Sequence, residues 1–455
     1  MHPSDGKQVR TEVDWPNIQA MLRWGLVRHR YSALVLGCFE DGVTLASWLS
    51  ANVSLASAEC AEVVANSTIL HNLALSRSGL EKLGVECRAG FPHEFVEGMA
   101  SERARNVLGD GLSQDAWEWG AGNAEDFALV VCALSEAELE SEINRLRLSG
   151  EQVDGALRII PTYLERHEHF GFRDGLSNPR IRGASNSRNN GTPEIAPGEF
   201  IFGYADERGG LPPPPLTDDP RFRDLPASID HAGMTEFGRD GSFLVIRQIR
   251  QYPQRFDRFL RENAQPDLPE EMLAAKMMGR WRDGTPTTLS PERSDHTIND
   301  TNDFGYATSD KHGFQCPLGA HIRRANPRDG LTSDPEQSLR ISNRHRILRR
   351  SRMYRKGRDE VGLQFMCFNV SFARQFEHIQ ESWINGTGVA KSGETDPIMG
   401  DRTGVNAFTL PATPMSRSLE GLDDFIEVTG GGYFFMPAID VFAGLVRANQ
   451  SGVDE

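Results

Sequence analysis

The chain has 455 residues, enough for about two or three domains with full hydrophobic cores. Lys and Arg number 49 and Asp and Glu number 64, which gives a net charge of −15. Such a chain does not attract a phosphate backbone as a whole, so a dedicated nucleic-acid-binding protein is disfavoured, although a local basic patch could still act. Hydrophobic residues make up 38% and charged residues 25%, which excludes collagen-like, low-complexity and fully disordered proteins.

The cysteines and the N-terminal residues bear on the compartment. Six cysteines are scattered with no C-x-x-C pair, so a disulfide framework and a zinc site are both disfavoured. The first residues, MHPSDGKQVRTEVDWPNIQ, contain neither an apolar signal segment nor twin arginines. No apolar run approaches the roughly 18 residues of a membrane span. We therefore expect reduced cysteines, a cytoplasmic address and no membrane partner.

Short apolar runs and helical spacings alternate along the chain. The runs predict strands at residues 32–39, 127–134, 242–248 and 362–368. Apolar residues at helical spacing predict helices at residues 76–83, 136–147, 254–262 and 372–383. The order strand, helix, strand occurs once before about residue 205 and again after about residue 240, which indicates a weak internal duplication. We expect two α+β halves on antiparallel sheets, because a doubly wound parallel sheet needs more alternating helices.

Between these halves lies a proline-rich stretch. Residues 205–239 include four consecutive prolines at 212–215, which neither a regular helix nor a central strand tolerates. We interpret this stretch as a connector, with a first half at residues 1–235 and a second half at residues 236–455.

Among twelve histidines, His321 has the most informative surroundings, CPLGAHIRRANPR. Pro317 suits the first turn of a helix and Pro327 ends it, which places His321 midway along a short helix. Gly319 and Ala320 are small enough for a flat group to approach. A core histidine bonded to a carbonyl is the alternative. No second histidine lies four residues on, so the zincin pattern is absent.

Asp174 stands in the motif Gly171-Phe-Arg-Asp174-Gly175. Such an aspartate caps a helix or closes an Asx turn in many proteins, and the motif is short enough to occur by chance. A carboxylate between glycines would also suit a general base on a close-approach backbone.

A third segment, residues 344–358 (RHRILRRSRMYRKGR), carries seven arginines, one lysine and no acid. A solvated basic face, or a patch that contacts phosphates, is one interpretation. Ile347, Leu348 and Met353 interrupt the charge, so part of the segment points inward. A buried arginine needs an anionic partner, and the carboxylates of a cofactor would serve.

Together these segments resemble the dye-decolorizing peroxidases, a family of haem enzymes, and in chain length its larger branch. The likeness extends over nearly the whole chain, in the segments FPHEFVEGM, RARNVLGD, HFGFRDGLSNP, PGEFIFGY, FLVIRQIRQ, MMGRWRDGTP, CPLGAHIRRANPR, HRILRR, GLQFMCFNV, DPIMGDR and GGGYFFMP. One departure is SRMYR after HRILRR, where the family usually has Gly-x-Pro-Tyr-Gly.

The resemblance implies a fold and an activity. The fold is two ferredoxin-like halves in a barrel-like α+β arrangement. The first half carries the motif around Asp174, on the peroxide-binding (distal) side of the haem, and the second half binds the haem. The activity is oxidation of dyes, phenolics and similar donors by hydrogen peroxide, through a ferryl intermediate on one haem b per chain. We expect a monomer or homodimer with no nucleic-acid partner.

The resemblance also implies roles for residues of this chain. His321 matches the iron ligand, and Asp174 and Arg349 match the distal catalytic pair. Leu363 and Phe365 match residues that line the distal pocket. The other cofactor-binding candidates are Asp396, as acidic partner of the histidine with Asp401 as its competitor, and Arg324 and His345 as propionate contacts.

Two further interpretations remain open. A haem-binding or iron-extracting protein with incidental peroxidase activity would share the same motifs. Bulky donors would not enter a pocket lined by Leu363 and Phe365, so electrons would then pass through aromatics at the surface. The candidates for this are Tyr306, Tyr354 and Trp281.

Overall fold

The computed structural model describes residues 12–110, 117–122, 125–184, 190–388, 393–402 and 406–447. The predicted cytoplasmic address rests partly on residues 1–11, which lie outside these ranges. In chain order the elements are α1 (Ala20–Arg23), β1 (Tyr31–Cys38), α2 (Gly42–Asn52), α3 (Ala61–Asn66), β2 (Ile69–Leu75), α4 (Arg77–Lys82), α5 (His93–Glu97), α6 (Glu102–Leu108), β3 (Phe127–Ala133), α7 (Glu136–Glu151), β4 (Ala156–Tyr163), β5 (Arg180–Ile181), β6 (Glu194–Ile195), β7 (Ser242–Gln251), α8 (Pro253–Asn263), α9 (Glu270–Met278), α10 (His321–Ala325), α11 (Pro335–Arg344), β8 (Leu348–Arg349), β9 (Arg352–Lys356), β10 (Glu360–Asn369), β11 (Ala407–Leu410), β12 (Arg417–Glu420), β13 (Ile426–Met436) and α12 (Ile439–Arg447). Two π-helical stretches, Ala373–Glu377 and Ile379–Ile384, lie between β10 and β11.

The main sheet is antiparallel and closes on itself. Its strand order is β7-β13-β2-β3-β1-β4-β9-β10, and β10 also pairs with β7, while the short β8 pairs with β10. The longest ladders are β13 with β7 and β10 with β7. The predicted α+β fold with antiparallel sheets is confirmed.

The two sets of four strands share one topology. In the first set the order is β2-β3-β1-β4, with α2 and α7 as the connecting helices. In the second set β9-β10-β7-β13 repeats that order, with α8 and the π-helical stretches in the corresponding connections. Both are ferredoxin-like, which explains the duplication seen in the sequence. The division at residue 235 stays a prediction.

The sets meet at two short seams. At one, β13 pairs with β2 through Phe435 and Leu75. At the other, β4 pairs with β9 through Thr162 with Tyr354 and Tyr163 with Met353. Residues 205–239 contain no α-helix and no strand of the sheets, as the prolines predicted.

Alternation along β7 separates two faces of the sheet. Successive side chains of a strand point to opposite faces. Phe243 and Val245 pack in one apolar core with the helices, and Arg247, Ile249 and Gln251 continue this face into a cavity. Leu244 and Ile246 belong to a second core on the other face.

The arginine-rich segment 344–358 points largely inward. Arg350 donates from Nε to Met21 O at 2.7 Å, and its pKa is lowered to about 10, mainly by burial. Arg352 donates to His29 O at 2.6 Å. The expectation of anionic partners is wrong for these two arginines, because backbone carbonyls accept their hydrogen bonds. None of the helices in the described ranges is both long and apolar enough to cross a bilayer.

Candidate active site

One cavity, between the β7 and β10 face and the segments that follow them, gathers most of the residues singled out from the sequence. Those that line it are Asp174, His321, His345, Arg349, Leu363 and Phe365. Asp174 comes from the first half and the others from the second, so only the folded chain brings them together.

His321 is the first residue of α10, not its middle as the prolines suggested. Pro317 to Ala320 forms a turn instead, closed by a hydrogen bond from Ala320 N to Pro317 O at 3.0 Å. The helix ends at Ala325, before Asn326 and Pro327, because proline disfavours a helical residue in front of it. The start of a short helix directs the imidazole into the cavity.

Asp396 lies behind this imidazole. Its Oδ2 is 2.9 Å from His321 Nδ1, and its Oδ1 accepts hydrogen bonds from Ile398 N and Met399 N. The carboxylate is fully buried; burial alone would raise its pKa, but His321 and these hydrogen bonds lower it. Of the two candidates, Asp396 rather than Asp401 is therefore in hydrogen-bond contact with His321. With its proton on Nδ1, the imidazole has its Nε2 lone pair available to a metal.

The loop that carries Asp174 depends on its glycines. Gly171 has φ +88° and Gly175 has φ +78°, a left-handed conformation that other residues adopt at a cost. Before Asp174, the Glu168 carboxylate accepts from Phe170 N and Phe172 N at 2.9 Å each, and from Gln251 Nε2 at 2.7 Å. The loop is thus fastened to β7.

Asp174 and Arg349 face each other across one side of the cavity. Arg349 Nη2 is 3.6 Å from Asp174 Oδ1, too long for a direct hydrogen bond. Asp174 Oδ1 accepts from Gly175 N at 2.6 Å, and its Oδ2 has no hydrogen-bond partner within the described parts of the chain. The pair offers a carboxylate oxygen that can accept a proton beside a permanent positive charge.

Leu363 and Phe365 are two residues apart on β10, so both point to the same face and form an apolar wall. His345 lies at the edge of the cavity, and its Nδ1 contacts Arg374 O. Its ring stacks on His378 at 4.1 Å. Burial, opposed by the Arg374 carbonyl, lowers the pKa of His345 to about 4.

Arg324 is not brought to the cavity wall. Its guanidinium is fully buried and donates to Gly386 O at 2.5 Å and Ile384 O at 3.3 Å. Its proposed contact with a propionate stays a prediction that this position does not favour.

Residues that the sequence analysis left unassigned also line the cavity. Arg328 and Arg346 stand in the quoted segments ANPR and HRILRR. Arg346 donates to Ser177 O at 2.5 Å; burial and the positive charges of Arg328 and Arg349 lower its pKa to about 9. Arg328 donates to Asn302 O at 2.8 Å and to Phe304 O at 3.0 Å, and neither it nor Arg346 forms an ion pair with a carboxylate among the described residues. Glu168 is a further lining residue, and burial raises its pKa.

No family model matches the chain. A dye-decolorizing peroxidase of Mycena epipterygia is 28% identical over 496 aligned positions, which cover 96% of this chain and 88% of that protein. A multifunctional dye peroxidase, DyP2, of an Amycolatopsis species is 30% identical over 309 positions, covering 60% of this chain and 59% of that protein.

A solved structure shares the fold of this chain. The crystal structure of a fungal DyP-type peroxidase from Auricularia auricula-judae superposes with a TM-score of 0.79 over 96% of this chain and 100% of that one, at 23% identity. The chain is a homologue of the dye-decolorizing peroxidases. It is an enzyme of the same oxidoreductase class.

The cavity of this peroxidase homologue suits a haem. One imidazole cannot hold a bare metal ion, and the described residues contain no cluster of three or more His, Cys, Asp or Glu side chains that could. A macrocycle would supply the missing ligands. The walls include apolar side chains such as Ile347, Phe376 and Ile379, while Arg328 and Arg346 offer positive charge to carboxylates.

The three aromatics suggested as surface electron donors are buried in this peroxidase homologue. Tyr306 and Tyr354 are at most 1% exposed and Trp281 is 7% exposed, so the expectation that they lie at the surface is wrong. Tyr306 and Tyr354 sit in the core, and Trp281 lines the cavity.

Proposed function

We propose that the protein is a haem peroxidase that uses hydrogen peroxide to oxidise dyes, phenolics and similar donors, with one haem b per chain. The observation that carries the proposal is that His321, with Asp396 buried behind it, lines the same cavity as the pair Asp174 and Arg349. The Mycena and Amycolatopsis relatives are named as dye peroxidases, which supports the substrate class.

His321 would ligate the iron through Nε2, with Asp396 as acceptor of the Nδ1 proton. A carboxylate in this position makes the imidazole a stronger electron donor. Arg328 and Arg346 would bind the propionates, with His345 at the edge, while Leu363 and Phe365 pack against the macrocycle. When bound, haem supplies a redox-active iron with an open position for peroxide.

Asp174 would move the proton. Its Oδ2 could accept a proton from one oxygen of hydrogen peroxide and return it to the other, directly or through a water. Arg349 would stabilise the negative charge that develops on the oxygen that receives this proton, because a guanidinium stays protonated at any working pH. Leu363 and Phe365 exclude larger molecules from this space.

A second candidate function is release of iron from haem. A deferrochelatase of Yersinia pestis is 25% identical over 241 positions, which cover 52% of this chain and 40% of that protein. This function predicts tight haem binding, slow turnover of dyes and appearance of iron-free porphyrin.

Steady-state oxidation of an anthraquinone dye by the haem-loaded chain with hydrogen peroxide separates the two functions. A peroxidase decolorizes the dye over many turnovers and leaves the haem spectrum intact. Porphyrin fluorescence without dye turnover would instead indicate iron release.

The compartment and assembly state are further proposals. We propose a cytoplasmic monomer or homodimer, which subcellular fractionation and light scattering of the purified chain would test. A particle of four or more chains, or recovery outside the cytoplasm, would contradict them.

A further inference from the structure

Asn178 connects the Asp174 loop to Arg349 through a pair of hydrogen bonds. Its Nδ2 donates to Arg349 O at 3.1 Å, and its Oδ1 accepts from Arg349 N at 3.0 Å. The side chain is half-buried and lies four residues after Asp174.

The position of Arg349 explains why this side chain is needed. Arg349 belongs to β8, a strand of two residues whose one partner strand in the described parts of the chain is β10. The N–H and C=O of one residue in an extended strand point to the same side. Because Asn178 uses both groups of Arg349, its carboxamide takes the place of a neighbouring strand along the free edge of β8. Without it, the partly buried N–H of Arg349 loses its partner, and Arg349 O is left with the hydrogen bond from Arg350 Nη1 at 3.0 Å.

The other hydrogen bonds of the loop that carries Asp174 end on other parts of the fold. Glu168 bonds the loop to itself and to Gln251 of β7. Ser177 O accepts from Arg346 Nη2, and Ser177 Oγ bonds Asn302. Among the hydrogen bonds of the loop within the described residues, the Asn178 pair is the one that ends on the residue facing Asp174.

We propose that Asn178 is a positioning residue that sets the distance and orientation between Asp174 and Arg349. The inference rests on the proposed peroxidase function. The gap of 3.6 Å between Asp174 Oδ1 and Arg349 Nη2 leaves neither side chain anchored by the other. Their spacing therefore depends on the backbone that Asn178 ties together. A shift of about 1 Å in such a pair can cost on the order of 10²-fold in rate.

Two variants and a matched control isolate this role. Asn178→Ala removes both hydrogen bonds, whereas Asn178→Asp keeps the acceptor for Arg349 N and sets an oxygen against Arg349 O. Asn17→Ala is the control, because half-buried Asn17 also makes two side-chain hydrogen bonds, to Asp240 Oδ2 and Asp440 N, and does not line the cavity.

Fluoride affinity of the ferric, haem-loaded protein is a readout independent of turnover. Fluoride bound in the part of the cavity beside Asp174 and Arg349 is an anion, and a well-placed Arg349 guanidinium would stabilise it. We expect about tenfold weaker fluoride binding in both Asn178 variants and no change in Asn17→Ala. The rate constant for reaction with hydrogen peroxide should fall on the order of 10- to 100-fold in the same variants, with the haem band retained.

The decisive comparison uses Arg349→Leu as background. A residue that acts by positioning Arg349 has nothing left to position there, so Asn178→Asp should change the peroxide rate constant less than twofold in that background. An equal fold-loss with and without the guanidinium would overturn the proposal, as would Asn178 variants that match Asn17→Ala. If Asn178→Ala fails to fold, Asn178→Asp supplies the same comparison. A parent chain that binds haem but does not react with peroxide would refute the proposed function instead.

Discussion

At the scale of single residues, the distal pair divides two tasks between two kinds of side chain. Asp174 has one oxygen engaged by Gly175 N and the other without a partner among the described residues, which suits a group that gains and loses a proton. Arg349 keeps its charge at every working pH and can only attract negative charge. The loss of either should slow the same step for different reasons.

Replacement of these side chains tests the division. We expect Asp174→Asn and Arg349→Leu to lower the rate constant for hydrogen peroxide by roughly 10²- to 10³-fold while haem stays bound. Stopped-flow absorption at the main haem band measures this rate. Addition of excess peroxide should recover neither variant fully. Reaction at the unmodified rate in both variants would contradict the assigned roles.

The choice between Asp396 and Asp401 shows what a residue pattern leaves open. Both lie in the same segment, DPIMGDR, and no spacing rule selects one. In the structure, Asp396 Oδ1 accepts two backbone N–H groups of its own turn, which points Oδ2 at His321. That turn is a local geometry that residue types alone do not specify.

At the scale of elements, the apolar runs predicted β1, β3, β7 and β10 within a few residues, but not β13. Three consecutive glycines, at positions 430–432, lower its strand propensity. A tertiary contact explains why glycine stands at position 430. Trp119 Nε1 lies only 2.5 Å from the place that a Cβ on Gly430 would take. Contacts between distant segments, which the sequence does not display, override the local preference.

This contact gives a stability prediction. We expect Gly430→Ala to lower the free energy of unfolding by about 1–3 kcal/mol, because the added methyl group must displace the buried Trp119 ring. Gly388→Ala is the matched control, since a Cβ there meets no atom within 4 Å. Thermal unfolding followed by circular dichroism compares the two. Equal melting temperatures for both variants would show that the ring moves freely.

The helix predicted at residues 372–383 forms with wider turns. Glu377 N donates to Phe372 O at 2.8 Å and Asn385 N to Gln380 O at 3.0 Å, both five residues apart. The segment presents Phe376, Ile379 and Gln380 to the cavity. Helical spacing in a sequence does not separate α from π turns, and π turns are common near functional sites.

At the scale of the whole molecule, the candidate site exists because two similar sets of strands close into one sheet. The loop with Asp174 follows β4 of the first set, whereas His321 and Arg349 belong to the second. The seam between β4 and β9 pairs Thr162 and Tyr163 with Tyr354 and Met353. The motif order in the sequence could predict both contributions, but not the register that joins them.

The central claim is that His321 ligates haem iron while Asp174 and Arg349 lie across the same cavity. Haem titration with absorption and electron paramagnetic resonance spectra of the parent chain, His321→Ala and the exposed-histidine control His93→Ala tests it most directly. We predict one haem per chain with single-histidine ligation in the parent and in His93→Ala. His321→Ala should bind haem weakly, with its spectrum restored by added imidazole. Unchanged haem affinity and ligation in His321→Ala would contradict the account.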